Sequence, residues 1–301
     1  MISIFQKPDI IEDLAMKAIL FSFLTIFIIV IGGEKSFGQD SQEQINVLNQ
    51  TDNEVIKLFN GISLDGWYTF LQNRGRDNDP KSVFTVIDGM IRISGEEWGC
   101  ITTNAEYSNF KLIAEYKWGE ITYQPRLENA RDCGILLHSQ GKDGGSQGIW
   151  MHSIECQIIE GGTGDFIVVG DGSDKFQITC NVRPEKQGRA LYFQSDGHPH
   201  TIKEGRINWS GRDPEWKDIL GFRGKNDIEK PVGEWNTLEC VVFEGQISIF
   251  LNGTLVNKAT DVKPDKGRIQ IQSESAEIFF RRVELTPIKD KKHLIKAVST
   301  N

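Results

Sequence analysis

ECVVFEGQISIFLNGTLVNK (residues 239–258) contains three apolar runs separated by Glu244-Gly245 and Asn252-Gly253. X-Gly pairs of this kind permit the positive backbone angles that two-residue hairpin turns require, so the stretch predicts two successive antiparallel hairpins. Outward from it the same pattern recurs. FTVIDGMIRIS (84–94) is a hairpin around Asp88-Gly89, and RIQIQSESAEIFFRRVEL (268–285) supplies the closing strands. FKLIAEYKW (110–118), CGILLHS (133–139), SIECQII (153–159), DFIVVG (165–170) and FQITCNV (176–182) bring the total to about a dozen strands by the period-2 reading. Many short strands with turn residues between them predict an antiparallel sandwich of two sheets and exclude helical and nucleotide-binding α/β folds.

The chain has 301 residues and a formal charge of -8, with 39% hydrophobic and 25% charged residues. Its Lys and Arg are scattered, whereas a duplex nucleic-acid binder needs them clustered against phosphate, so nucleic acid is excluded as a partner. AILFSFLTIFIIVIG (18–32) follows Lys17 and precedes GEKSFGQD, the order of a secretory signal, and it is too short to favour a membrane span. Ser36 and Gly38 place cleavage after residue 38, and the acidic stretch before Met16 makes Met16 the expected start. The expected organisation is a signal over 1–38, a linker over 39–53, one domain over 54–288 and a frayed tail over 289–301. The mature chain is then periplasmic or extracellular and free of the membrane. Five cysteines, Cys100, Cys133, Cys156, Cys180 and Cys240, lie far apart without a CxxC pair, so buried free thiols are expected, with disulfides compatible with export.

The polar chemistry concentrates in ECQIIEGGTGD (155–165). Strand alternation puts Ile154, Cys156 and Ile158 on one face and Ser153, Glu155 and Gln157 on the other. An acid on a rigid strand can be aimed and tuned for general acid or base work. Glu160, five positions on from Glu155, falls on the opposite face unless a bulge intervenes. Residues 171–232, rich in Arg, Gly, Pro and Trp, predict long loops over one end of the sandwich. Trp209 and Trp216 there either stack on a sugar ring or pin the loop. His152 alternates onto the apolar side, and His198 and His200 read as polar turn residues. Asp165 is a candidate to orient substrate or ligate a cation, while Glu115 and Lys117 share a strand face that lines a cleft or forms a surface ion pair.

Two resemblances bear on these residues. Concanavalin A-like glucanases carry ExDxxE on a strand of the concave sheet, with the first Glu as nucleophile and the last as acid; here Gln157 replaces the Asp. More extensively, KLFNGISLDGW (57–67), FKLIAEYKW, DCGILLHSQG (132–141), SIECQIIEGGTGDF (153–166), GEWNTLE (233–239) and LNGTLV (251–256) resemble the 3-keto-disaccharide hydrolase family in sequence and order. That resemblance implies an all-β concanavalin A-like jelly-roll sandwich acting on carbohydrate, namely glycosides oxidised to a ketone at sugar carbon 3. A sugar 3-oxidoreductase that makes the ketone is a candidate functional partner.

A ketone at carbon 3 acidifies the hydrogen at carbon 2. One base can then remove it, the glycosidic oxygen leaves carbon 1, and water can add back. Such a route needs a base, a stabiliser for the enolate oxygen and an acid, but no nucleophile. The assignments are Glu155 as base, His138 as acid or enolate-polarising group, and Gln157 as a substrate hydrogen-bond donor. Asp165, Glu115, Lys117 and Trp209 are further substrate-binding candidates, and Glu160 is a second acid. No cofactor is demanded, although a divalent cation would suit an enolate. The alternatives are a non-catalytic carbohydrate-binding module and a retaining glycosidase, the latter disfavoured by Gln157.

Overall fold

The computed structural model describes residues 54–183 and 190–299. The expected signal and linker lie outside the described residues, among which no helix is long and apolar enough to cross a membrane. The first strands are β1 (Ile56–Lys57), β2 (Trp67–Leu71), β3 (Gly75–Arg76), β4 (Phe84–Ile87), β5 (Met90–Ile93) and β6 (Gly99–Thr103). Next come β7 (Phe110–Thr122), β8 (Asp132–Gln140), β9 (His152–Ile159), β10 (Phe166–Val169), β11 (Gln177–Val182) and β12 (His198–Ile202). The last six are β13 (Gly205–Ile207), β14 (Asn236–Phe243), β15 (Gln246–Leu251), β16 (Thr254–Lys263), β17 (Arg268–Ser273) and β18 (Ala276–Pro287).

They form the expected antiparallel two-sheet sandwich. One sheet has the order β12-β11-β16-β15-β14-β7-β18-β5-β4, with β1 also paired to β18; the other runs β13-β10-β9-β8-β17-β6-β2-β3. The three predicted hairpin turns close as the X-Gly pairs require. Asp88-Gly89, Glu244-Gly245 and Asn252-Gly253 all have positive φ at both central residues, and the flanking pairs Ile87↔Met90, Phe243↔Gln246 and Leu251↔Thr254 are in register. Two positive angles match the twist of the flanking strands.

Alternation fills the space between the sheets. Phe110, Leu112, Ala114, Tyr116 and Trp118 of β7 and Leu238, Cys240 and Val242 of β14 meet Ile135, Leu137, Ile154, Cys156, Ile158 and Ile271 from the other sheet. All five cysteines are buried and free.

Two expectations change. GHPH is not only a turn, because His198–Ile202 forms edge strand β12, paired with β11 from Val182↔His198 to Ile178↔Ile202. The strand is largely solvated, so no apolar alternation marks it in the sequence. The segment after Ile288, expected to fray, contains helix α1 (Lys291–Ser299). Asp290 caps it, accepting from the His293 backbone N–H at 2.9 Å. Residues Ile56–Leu285 form one compact unit, which carries both sheets.

Candidate active site

The face of β8, β9, β10 and β17 turned away from the core carries a regular array of side chains. Cross-strand register sets Glu155 between Leu136 of β8 and Ile167 of β10, and sets Ile167 beside Arg206 of β13. Gln157 pairs with Gly134, and Asp132 pairs with Glu274. Over this array lies a cleft of about 970 Å³ lined by Asp132, Glu155, Gln157, Arg206, Gln272 and Glu274, with Trp150, Ile167 and Val169 as its apolar wall. The loop before β9 completes that wall, where Trp150 stacks on Trp98 with ring centroids 6.5 Å apart.

Glu155 is only 4% exposed. Its carboxylate does not stand over its own row but leans across Gly134, where an added Cβ would collide with both Glu155 Oε1 and Gln272 Oε1. The glycine is therefore the floor on which the acid and the amide meet. Burial, reinforced by the neighbouring Asp132 charge, pushes Glu155 up to about 8, against the opposing pull of Arg206 and a hydrogen bond from Gln272. Asp132 is also raised, mainly by burial, although Arg126 and Arg206 act against it. Glu274 is raised well above the ordinary glutamate value by burial and by the charges of Asp132 and Glu155, and it shares a hydrogen bond with Asp132. Three carboxyls thus face one cleft, all raised by burial and by one another's charge, and like charges so close oppose their joint ionisation.

Second contacts fix these groups in place. Gln157 Nε2 donates to Asp132 Oδ1 and, at 3.3 Å, to the Cys133 carbonyl. Arg126 Nη2 lies 3.2 Å from Asp132 Oδ2. Arg206 Nη1 donates to Asp165 Oδ2 at 2.6 Å, which holds the guanidinium at the cleft edge. Among the described residues, no group of three or more His, Cys, Asp or Glu is arranged to hold a metal ion.

The sequence-predicted residues divide accordingly. Glu155 and Gln157 line the cleft together. Asp165 is fully buried behind it, where Oδ1 accepts from the Trp209 backbone N–H at 2.8 Å and Oδ2 from Arg206 and Arg212. Its contact with the site runs through Arg206.

His138 does not reach the cleft. Simple alternation from Asp132 would put it there, but β8 shifts register between Leu137 and Gln140, and His138 has a φ of 55°. This bulge turns the ring inward, edge-on to core Phe110 at 6.0 Å, with Nδ1 2.7 Å from the Pro264 carbonyl oxygen. Glu160 follows the end of β9 and is also absent from the cleft. It binds Arg131 Nη1 at 2.8 Å and accepts backbone N–H groups from Arg131 and Gly221.

Glu115 and Lys117 lie on the outer face of the other sheet, on the opposite side of β7 from core residues Tyr116 and Trp118. Glu115 pairs with Arg281 Nε at 2.6 Å and Arg282 Nη1 at 3.3 Å, while Lys117 lies over the Trp235 ring at 5.1 Å. Trp209 is buried in the core and Trp216 donates Nε1–H to the Glu160 carbonyl at 2.9 Å, so both pin their loop to the sandwich.

Asp132, Arg206, Gln272 and Glu274 enter the site without having been singled out from sequence. A signal was present for two of them. Gln272 follows Gln270 by two in RIQIQSES, on the polar face of a predicted strand, and Asp132 opens DCGILLHSQG. Arg206 lies in a stretch without apolar periodicity, and nothing local distinguishes it.

Among solved structures, the chain is similar to two candidate glycosyl hydrolases from Parabacteroides distasonis. One is 18% identical with a TM-score of 0.45, covering 83% of this chain and 98% of that one. The other is 19% identical with a TM-score of 0.43, covering 78% and 100%. A β-glucanase from Bacillus licheniformis is 11% identical with a TM-score of 0.39, covering 80% and 100%. No curated protein matches the chain. The model of the 3-keto-alpha-glucoside-1,2-lyase-like domain matches residues 54–286, which span both sheets and every residue lining the cleft, and the chain belongs to that family.

Proposed function

We propose that this carbohydrate-active chain cleaves 3-keto-glycosides by proton abstraction at C2 followed by elimination across C1–C2. Glu155 in its ionised form takes the C2 proton, and the electron pair passes into a C2–C3 enolate. Arg206 lies at the edge of the same cleft and offsets the charge on the enolate oxygen. The enolate then collapses to a C1–C2 double bond, the C1–O bond breaks, and the protonated member of the Asp132–Glu274 pair gives its proton to the departing oxygen. Addition of water across the new double bond completes a net hydrolysis. Gln157 and Gln272 hold sugar hydroxyl groups, and Asp165 acts by holding Arg206.

One observation carries this reading: Glu155, held on β9, lines a single cleft with the hydrogen-bonded Asp132–Glu274 carboxyl pair and Arg206, and burial raises all three carboxyls. Environments that set neighbouring carboxyls apart are how one site supplies both base and acid. Displacement by a nucleophile with Glu160 as acid is disfavoured, since Glu160 is committed to Arg131 away from the cleft. The ketone must come from a sugar 3-oxidoreductase, and the chain acts after export through its N-terminal signal.

The test mixes purified protein with a 3-keto-disaccharide and with its unoxidised parent, each with and without chelator, and follows sugar release. Release from the keto sugar alone is the expected result, and loss of that release with chelator would add a divalent cation to the scheme. Release from the parent alone identifies an ordinary glycosidase. Binding without release from either identifies a carbohydrate-binding module.

A further inference from the structure

Eight large apolar side chains are exposed among the described residues, and four of them, Ile121, Leu127, Ile219 and Leu220, lie on two neighbouring segments. Their exposures are 42%, 42%, 50% and 38%. The two segments are tied together. The Leu220 N–H donates to the Glu128 carbonyl at 2.8 Å, Asn129 Nδ2 donates to Asp218 at 2.8 Å, and Thr122 Oγ1 donates to the Leu127 carbonyl at 3.1 Å. Single exposed apolar residues are ordinary, but half of the large ones gathered at one place mark a binding surface.

The position of this rim relative to the cleft indicates what it binds. Arg126 links the two, bonding Asp132 at 3.2 Å on one side and Asp218 at 3.0 Å on the other. The rim therefore adjoins the Asp132 end of the site, the end that carries the shared proton. A departing oxygen has to be protonated there, so the group attached to that oxygen extends toward the rim. The rim offers apolar side chains to that group, and Arg126, which stands between the rim and the site, is already paired with Asp132 and Asp218.

We infer that Ile121, Leu127, Ile219 and Leu220 form a leaving-group subsite that selects glycosides with an apolar alkyl or aryl aglycone over those whose aglycone is a second sugar or methanol. This inference rests on the proposed elimination for its orientation, but binding tests it separately. Methyl and hexyl glycosides suit the comparison because their alcohols differ little in acidity, so chain length alters burial and not leaving-group chemistry.

Titration calorimetry with unoxidised methyl and hexyl glucosides reads the subsite without turnover. The native chain is expected to bind the hexyl compound at least about tenfold more tightly, as burial of several methylenes implies. The I219S/L220S variant is expected to bring that ratio to within about twofold while leaving methyl glucoside affinity unchanged. With the 3-keto forms, the same ratio is expected in KM, at nearly equal kcat. Equal affinity for the two glucosides in the native chain, or a ratio that survives in the variant, would overturn the assignment. So would a dimer that the variant dissociates with the ratio intact, since the rim would then be a self-contact. Absence of turnover on both keto-glycosides, with the tenfold binding ratio present, would count against the elimination and leave the apolar subsite standing.

Discussion

At the scale of single residues, the site depends on Glu155 having a raised pKa and a fixed direction. Glu155→Gln keeps the shape and removes the base, and turnover of a 3-keto-glycoside is expected to fall by about 10³-fold with an unchanged circular dichroism spectrum. Gly134→Ala tests direction alone. Its methyl group would occupy the space of the Glu155 and Gln272 side-chain tips, and both are flexible enough to move aside. The fold should survive, while kcat drops by about 10²-fold, the usual effect of displacing a catalytic group by about an ångström. The pH profile has a definite sign. Glu155 is raised to about 8 and works ionised, so its contribution should make kcat/KM climb with pH through 6 to 8, with a fall at higher pH where the Asp132–Glu274 pair gives up its proton. A profile that falls over that range would make Glu155 the acid.

At the scale of elements, β9 was readable from sequence because its alternation is strict. Ile154, Cys156 and Ile158 enter the core, and Glu155 and Gln157 enter the cleft. The error at His138 has a local cause. A bulge adds one residue to β8 and reverses the facing of the residues beyond it, and no residue type in ILLHSQ announces it. His138→Gln is accordingly expected to lower the melting temperature while leaving kcat within about twofold, because the ring meets Phe110 and the Pro264 carbonyl and not the cleft. A thousandfold loss of kcat in a folded H138Q protein would restore it to the chemistry. Glu115 and Lys117 illustrate a different limit. Alternation correctly put them opposite Tyr116 and Trp118, but the outer faces of two sheets look alike in sequence, and only strand order shows which sheet is which. The same holds for Asp132, Gln272 and Glu274, which come from strands distant in the chain and meet only through the pairing of β17 with β8 and the Asp132–Glu274 bridge.

At the scale of the whole molecule, the sandwich tolerates several buried carboxyls whose ionisation opposes folding. Glu229 is raised to about 8 by burial, despite donors from Tyr116 at 2.5 Å and Trp118 at 3.0 Å, and Glu155 is raised to the same value in the cleft. A folded pKa above the unfolded one means that the native state holds a proton the unfolded chain releases. The stability from these groups is therefore complete below about 4.5 and is lost as pH rises through about 8. Melting temperature should decline across that window, and Glu229→Gln, which keeps an acceptor for Tyr116, should flatten the decline; an unaltered slope would show that Glu229 does not titrate there. The hairpins, the two-sheet architecture and the family were legible because turn chemistry and alternation are local. The acid pair, Arg206 and the apolar rim arise from tertiary contact and were not. The central claim, abstraction of the C2 proton, is tested most directly by cleaving a 3-keto-disaccharide in deuterium oxide and examining the released keto sugar by NMR before exchange in bulk solvent. Elimination followed by hydration predicts one solvent deuterium at C2 in each product molecule. A product that retains its original hydrogen at C2 would contradict the mechanism.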